Sequence, residues 1–448
     1  MQVSNVRLGF ATNSSSSHSI VILPKGDRAP REDCDSSDGG YGWENFVLTS
    51  EEEKMRYFAA QLGETLEYAV GSEITQAVLH DFLGVRWNDD WYVDHASHLT
   101  FPIDSKTGHL NWSFIKDLQM FLKREDVVVF GGNDNDGVEH HYSDHLYDLR
   151  EVAGTLYAAK TGKWWTLFNT RNGAKIRLSF FDDGVELRRS LRPELVDMHI
   201  TDYCPFNCKF CYQDSTVKGG LASYEDVTDY LYQLQGTFEV AFGGGEPTFH
   251  PDFVRILRYA KSTGIIPNFT TKVMPVSWSQ ELVEATREIC GGFAVSLQHS
   301  YDVAKLKLQC LKLGLEEQVH VHYAVGVESH YYLEAMIKAC REEDIPLTLL
   351  GFKTTGRGET FKPAKDPIRK ESLAEAWNIS VDTAFVEQYP DVLENVSERL
   401  IAPGEGRFSM YVDAVNKQAG ISSYHRDTFI PIGKNLQDAW HALGDFVD

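Results

Sequence analysis

The chain predicts an α/β fold, a partial (β/α)6 barrel preceded by a separate α+β domain. Three observations carry this. From Pro193 onward, short apolar segments alternate with amphipathic helical patterns, the signature of a parallel sheet with right-handed crossovers. Before Pro193 that alternation is missing: helical patterns follow one another and a hairpin signal closes the stretch. Finally, 448 residues, 42% of them hydrophobic, are enough for two to three domains with sizeable cores.

The chain opens with Gly9-Phe10, the serine run Ser14–Ser17 and a strand-like Ile20–Leu23. A serine run usually marks a flexible linker. Flanked by a Gly-aromatic pair and a strand it reads equally as an ordered turn or as a nest of hydroxyls and amides for an anion or a chain end. Residues 24–45 are a polar loop. Thr49-Ser-Glu-Glu-Glu53 has the pattern of a capping box at the start of a helix running through Leu62. Further helices are expected at 72–82 and near 111–123, and a strand at 127–130. Asn133-Asp-Asn-Asp-Gly137 looks like part of a calcium loop but lacks the acids such a loop needs at both ends, so it reads as a turn. His141 and His145 stand at helical spacing beside Asp144, where a solvated polar segment outweighs a metal site. Asn172-Gly173 between the apolar runs 164–168 and 174–181 is a strong hairpin signal.

In the second region, strands are expected at 196–202, 238–243, 266–272, 292–298, 319–327 and 346–353. Helices should lie between them at 223–235, 250–264, 278–290, 301–314 and 330–343, with an acidic helix at 371–389. The domains are therefore read as 1–190, 191–360 and 361–448.

The net charge is −22, and neither half of the chain is basic. Nucleic-acid binding depends on clustered Lys and Arg to neutralise phosphates, so no nucleic-acid partner is expected. No apolar run approaches 20 residues and no signal peptide is evident, so no membrane span is expected, and the cysteine usage suits a reducing cytoplasm. The seven cysteines form no paired framework. Cys290, Cys310 and Cys340 fall in helical patterns and read as small core residues.

Cys204, Cys208 and Cys211 are different. Their C-x3-C-x2-C spacing brings three thiolates to one centre from one loop. Zinc would want a fourth ligand, usually from a second pair at short spacing, and none follows. A cubane iron–sulfur cluster held by three thiolates keeps one iron free for another ligand. Downstream, Val240-Ala-Phe-Gly-Gly-Gly-Glu-Pro-Thr248 reads as a strand ending in a glycine-rich turn.

The triad, with Phe210 just before its third cysteine, and the turn Gly244-Gly245-Glu246-Pro247 resemble the two signatures of the radical S-adenosylmethionine (radical SAM) superfamily. The resemblance implies one [4Fe–4S] cluster on Cys204, Cys208 and Cys211, with S-adenosylmethionine on the fourth iron. It implies reductive cleavage of that cofactor to a 5′-deoxyadenosyl radical, which takes a hydrogen from substrate. Backbone at Gly243, Gly244 and Gly245, with Pro247 completing the turn, would meet the methionine amino group. Glu246 would anchor that turn. Phe210 would face the adenine, and Ser296 the ribose or the methionine carboxylate. Lys353 or Arg357 would meet a carboxylate of cofactor or substrate. Tyr203, Gln298, His299 and Tyr323 fall at strand ends without a ranking. The tail, around 401–425, is similar to the SPASM or twitch extension of peptide-modifying members. Ile401 and Ser422-Ser423 stand where cluster cysteines would be, so no auxiliary cluster is expected.

The substrate reading is a peptide or protein, with a small metabolite or nucleoside as the alternative. A non-catalytic iron–sulfur or zinc scaffold is a third reading, which the intact Gly244–Pro247 turn disfavours. A reductant such as flavodoxin or ferredoxin is the expected partner. Residues 1–190 exceed what cluster and cofactor need, and are expected to dock at the barrel mouth and recognise substrate.

Overall fold

A ten-stranded sheet organises the second half of the chain. In the computed structural model its strands are β1 (Leu195–Thr201), β2 (Glu239–Gly244), β3 (Ile266–Thr271), β4 (Gly292–Ser296), β5 (Val319–Ala324), β6 (Leu347–Leu350), β7 (Ile379–Val381), β8 (Ser409–Asp413), β9 (Gln418–Gly420) and β10 (Ile430–Pro431). The structure describes residues 2–7, 21–24, 40–41, 46–88, 91–93, 101–104, 106–125, 127–131, 156–171, 173–180, 186–364, 368, 379–393 and 404–447. The serine run, the 133–137 turn, His141, His145, Cys34, Asn172 and Ile401 lie outside the described residues.

The sheet order is β7-β6-β5-β4-β3-β2-β1-β8-β9-β10. Strands β1 to β7 pair in parallel. The crossovers between β1 and β6 are α1 (Tyr224–Gln233), α2 (Phe253–Ser262), α3 (Gln280–Ile289), α4 (Val303–Leu313) and α5 (His330–Glu342). All six strands and five helices of the expected alternation are therefore present. Their boundaries follow local chemistry. Ser223 and Ser279 cap α1 and α3 by accepting from Asp226 N and Leu282 N. In α2, Phe253, Ile256, Leu257 and Ala260 recur at helical spacing and are all buried.

Successive strand residues face opposite sides, and the two faces differ in chemistry. Val196, Met198, Ile200, Val240, Phe242, Val295, Val321, Leu347 and Leu349 join one apolar cluster with the helices. Each such burial contributes roughly 1.5–3 kcal/mol. The alternate positions are polar: Asp197, His199 and Thr201 on β1, Asn268 and Thr270 on β3, Ser296 on β4, His320 and His322 on β5, Thr348 on β6. A parallel sheet is ordinarily covered by apolar contacts on both faces, so a polar inner face is the lining of a site.

Two elements depart from expectation. Residues 379–389 are not one helix with 371–378: Ile379–Val381 is a strand beside β6, and only Thr383–Gln388 (α6) is helical. Two β-branched residues favour the strand. Asp382 then starts the helix, accepting from Phe385 N at 2.8 Å. The tail hairpin does not stand alone either. Its first strand, β8, pairs in parallel with β1, Asp197 opposite Tyr411 and His199 opposite Asp413, before β9 returns antiparallel.

The chain divides into two compact units. One is formed mainly by Asn13–Asn169 with Ile176–Val185, the other by Glu186–Asp448 with Asn5–Thr12 and Thr170–Lys175. The segment 361–448 is thus part of the barrel unit, and so is Lys175.

In the first unit, helices Glu51–Val70, Ser72–Leu83 and Trp112–Leu122 share a core with Phe46, Tyr57, Phe58, Phe101 and Trp165. The capping box is present: Ser50 Oγ accepts from Glu53 N at 3.2 Å, and the Glu53 carboxylate reaches back to Ser50 N. Strand Val127–Gly131 pairs antiparallel with Val21–Pro24 and Phe46–Leu48. Trp164–Asn169 and Lys175–Ser179 are neighbours in another sheet, and Leu156–Thr161, a strand not expected from sequence, pairs with the first of them. Among the described residues no helix is long and apolar enough to cross a membrane.

Candidate metal centre

The polar inner face ends, at the carboxyl ends of the strands, in a ring of loops. The loop after β1 carries Cys204, Cys208 and Cys211, all half-buried free thiols. Its foot is closed by Asp202 N donating to Gly220 O at 2.8 Å and Cys204 N to Thr216 O at 3.0 Å. Asn207, between the first two cysteines, takes the left-handed conformation (φ 47°), which Asn tolerates better than most residues. Burial raises the pKa of the Cys204 thiol, so metal binding there must displace a proton.

Among the described residues, no three His, Cys, Asp or Glu side chains converge closely enough to hold a single metal ion, these cysteines included.

The turn after β2 closes on the loop from the side. Glu246 N donates to Tyr203 O at 2.8 Å. The buried Glu246 carboxylate accepts from Thr248 Oγ1 at 2.7 Å, Thr271 Oγ1 at 2.6 Å and Lys272 N at 2.8 Å. It ties the turn to the end of β3, the anchoring role expected of it. The glycines divide their work. Gly244 has φ 113°, and a Cβ there would lie 2.5 Å from Thr201 O and 2.9 Å from the His199 ring. At Gly245 a Cβ would lie 2.2 Å from Tyr203 O. Both are required for close approach to β1 and its loop. A Cβ on Gly243 would meet nothing within 4 Å. Gly243, not Gly244, is therefore the glycine that faces open space.

The loop after β6 clamps the opposite side. Arg357 Nε donates to Cys208 O at 2.9 Å, its terminal nitrogens reach Asp214 Oδ1 and Ser215 O at 2.9 Å each, and its backbone N–H meets Cys211 O at 3.0 Å. Every arm of the guanidinium is engaged, so Arg357 is a staple of the cysteine loop rather than a group offered to a ligand carboxylate. Lys353, the other basic residue of this loop, has its own neighbours. Its Nζ is 3.5 Å from Asp382 Oδ2 and lies over the rings of Tyr212 (4.8 Å) and Tyr424 (5.1 Å). Burial works against its ammonium, but Tyr212, Asp382, Glu405 and Asp197 together hold its pKa above the ordinary value.

The carboxylates around Lys353 were not foreseen. Glu405 accepts from Tyr424 OH at 3.1 Å, and burial, reinforced by Asp197, raises its pKa to about 7. Asp197 faces the lumen, where solvent reaches it although the barrel wall surrounds it; desolvation raises it to about 6 against the pull of Lys353. His322, in register with Ser296 and Thr348, is lowered to about 3 by desolvation, His320 and Lys353, and so is neutral. The signal for Asp197, His320 and His322 was their alternation with apolar residues in strands. For Glu405 and Tyr424 no local signal existed, because the tail had to be placed beside β1 first.

The raised Glu405 has a consequence for stability. Its folded pKa lies above the unfolded value of 4.5, so between about pH 4.5 and 7 the folded state holds the proton more tightly. Stability should fall as pH rises through that window, and Glu405→Gln should flatten the fall. Urea unfolding at stepped pH values measures this, and an identical slope in the variant would refute it.

Ser296 is half-buried at the end of β4, and two residues on, Gln298 Oε1 is a buried acceptor with no hydrogen-bond partner. The Phe210 ring packs edge-on against Phe361 at 5.9 Å, half-exposed. Pro247 is buried in the turn, and His299 stacks on Tyr301 at 5.1 Å. Tyr203 sits against Phe249 at 6.0 Å. Tyr323 lies in the apolar cluster on the helix side, away from the lumen. Ser422 is buried in a tail turn, bonded to His425 Nδ1 at 2.8 Å and accepting from Tyr424 N and His425 N. Cys290, Cys310 and Cys340 are buried, and that burial pushes their thiols up to about 12.

Three features fit a [4Fe–4S] cluster and S-adenosylmethionine: three thiols on one well-braced loop, open space over Gly243, and the orphaned Gln298 acceptor beside Ser296. Fold and site together define a parallel barrel whose mouth carries three thiols on one loop. Residues 198–366 match the family described as the Radical SAM superfamily. Its members use a [4Fe–4S] cluster and S-adenosylmethionine.

The chain is 29% identical over 163 residues to PqqA peptide cyclase of Bradyrhizobium diazoefficiens, covering 35% of this chain and 38% of that protein. It is 32% identical over 93 residues to an S-adenosylmethionine-dependent nucleotide dehydratase of Selenomonas ruminantium, covering 19% and 34%. The chain thus spans little more than a third of the length of these curated relatives. The crystal structure of Streptococcus suis SuiB bound to precursor peptide SuiA is similar in fold, with a TM-score of 0.50 and 14% identity over 65% of this chain and 90% of that one.

Proposed function

We propose that the chain is a radical SAM enzyme that modifies a peptide or protein. The observation that carries the activity is the cysteine loop braced at the carboxyl ends of β1 and β2 with open space over Gly243. Cys204, Cys208 and Cys211 would hold one [4Fe–4S] cluster. When bound, cluster and S-adenosylmethionine would supply one-electron reductive cleavage of the cofactor and, through it, hydrogen-atom abstraction from substrate. A one-electron reductant of flavodoxin or ferredoxin type delivers that electron.

The chain's own residues do the rest. The backbone of Gly243–Gly245 receives the methionine end of the cofactor, with Glu246 holding the turn and Pro247 filling its underside. Gln298 Oε1 accepts a hydrogen bond from the bound nucleoside, near Ser296. Phe210 offers its backbone and the exposed part of its ring to the adenine. Lys353, ringed by carboxylates, balances their charge rather than binding the cofactor. The polar lumen around Asp197, His322 and Glu405 receives the substrate and can hold or give a proton.

The similarity to a peptide cyclase and to the fold of a peptide-bound enzyme supports a peptide substrate. The similarity to a nucleotide dehydratase supports the second reading, a nucleotide or nucleoside. We further assign substrate recognition to residues 1–190. Incubation with dithionite and S-adenosylmethionine should release 5′-deoxyadenosine even without substrate, and mass spectrometry of candidate peptides and nucleotides decides between the two readings. No 5′-deoxyadenosine from cluster-loaded protein would overturn the activity.

Two glycine variants test the turn. Gly243→Val should fold normally and bind S-adenosylmethionine at least several-fold more weakly, because its side chain enters the open space. Gly244→Val should instead disrupt folding, since its branched side chain meets Thr201 O and its φ disfavours any Cβ. Calorimetry and circular dichroism on both variants are the check. Unaltered affinity in Gly243→Val would remove the cofactor from this turn.

A further inference from the structure

Lys272 follows β3 directly and belongs to neither signature. Its Nζ donates to Cys208 Sγ at 3.2 Å. Its backbone N–H is fixed to the buried Glu246 carboxylate at 2.8 Å, and its ammonium also lies 5.6 Å from the centre of the Phe206 ring. The residue is half-buried, which limits screening by solvent. The lysine is therefore held on the turn that braces the cysteine loop, with its charge directed at one cysteine sulfur.

The effect on a cluster follows from electrostatics. Adding an electron makes the cluster and its thiolates more negative. A cation within hydrogen-bond distance of one of those sulfurs favours the reduced state more than the oxidised one. Hydrogen bonds to cluster sulfurs and local charge are among the factors that set iron–sulfur potentials. Cys204 receives a neutral backbone N–H from Phe206, so the charged donor acts on Cys208.

We propose that Lys272 is a positioning residue that raises the reduction potential of the cluster through Cys208, a proposal that rests on the cluster reading above. It makes the cluster easier to reduce by a weak one-electron donor. No proton transfer is part of this role.

The test uses the full chain, reconstituted anaerobically without S-adenosylmethionine, as wild type, Lys272→Met and Lys272→Arg. Iron content and an EPR-monitored redox titration are measured on each. The expected result is wild-type iron in both variants, a midpoint potential more negative than wild type in Lys272→Met, and one close to wild type in Lys272→Arg. A Lys272→Met protein with full iron and an unchanged midpoint would overturn the proposal while leaving the cluster intact. Should Lys272→Met not retain iron, Lys272→Gln takes its place: a more negative midpoint there supports the proposal and an unchanged one overturns it. Wild-type protein that takes up no cluster would instead overturn the reading on which the proposal depends.

Discussion

Replacing Cys204, Cys208 and Cys211 together by alanine is expected to abolish iron binding, while the wild type, reconstituted anaerobically, holds about four irons per chain, as one cubane requires. The three thiols share one loop, and that loop is braced by backbone and by Arg357 rather than by the sulfurs themselves. The barrel should therefore remain folded without them, so loss of iron and loss of fold can be told apart by circular dichroism. Colorimetric iron and sulfide assays with optical spectra give the count. About eight irons would mean a second cluster, for which cysteines outside the triad, none of them in the tail, would have to supply ligands. Zinc in place of iron would restore the scaffold reading.

Lys175→Met is expected to destabilise the barrel by about 3–5 kcal/mol, the usual consequence of removing one member of a buried ion group. Lys175 Nζ lies 3.3 Å from Glu239 Oε1 and 3.6 Å from Glu194 Oε2, and all three side chains are at most 4% exposed. Glu239 also accepts from Asn268 Nδ2 at 3.2 Å, and Asn268 in turn accepts from Gly292 N, so the group links β2, β3 and β4. Without the ammonium, two carboxylates share a nearly dry site. Adding Glu239→Gln to Lys175→Met should recover part of the loss, because one of the two neighbouring carboxylate charges is gone. Thermal or urea unfolding of the single and double variants is the measurement. A single variant as stable as wild type would show that the carboxylates find other compensation.

That lysine also bears on where the barrel begins. The sequence puts a boundary near 190, at Ser190-Leu-Arg-Pro-Glu194, yet Thr170–Lys175 belongs to the barrel unit. A protein started at Leu191 would lack Lys175 and should be less stable for that reason alone, so a truncation meant to isolate the barrel has to retain it. Nothing near Lys175 announces this, since its partners lie 19 and 64 residues further along the chain.

The sequence by itself determined the parallel alternation, the cysteine loop and the Gly-Gly-Glu-Pro turn. These are local properties: periodicity follows from strand and helix geometry, and three thiols within eight residues must share a loop. The tertiary structure alone decided which glycine faces open space, because that depends on how closely β2 approaches Thr201 and Tyr203. It alone turned Arg357 and Lys353 from ligand-binding candidates into a staple and a charge balance. It also brought Glu405 and Tyr424 to the lumen by laying β8 beside β1. Each of these outcomes rests on pairing between segments distant along the chain, and no local pattern encodes which distant charge or backbone atom a side chain will meet.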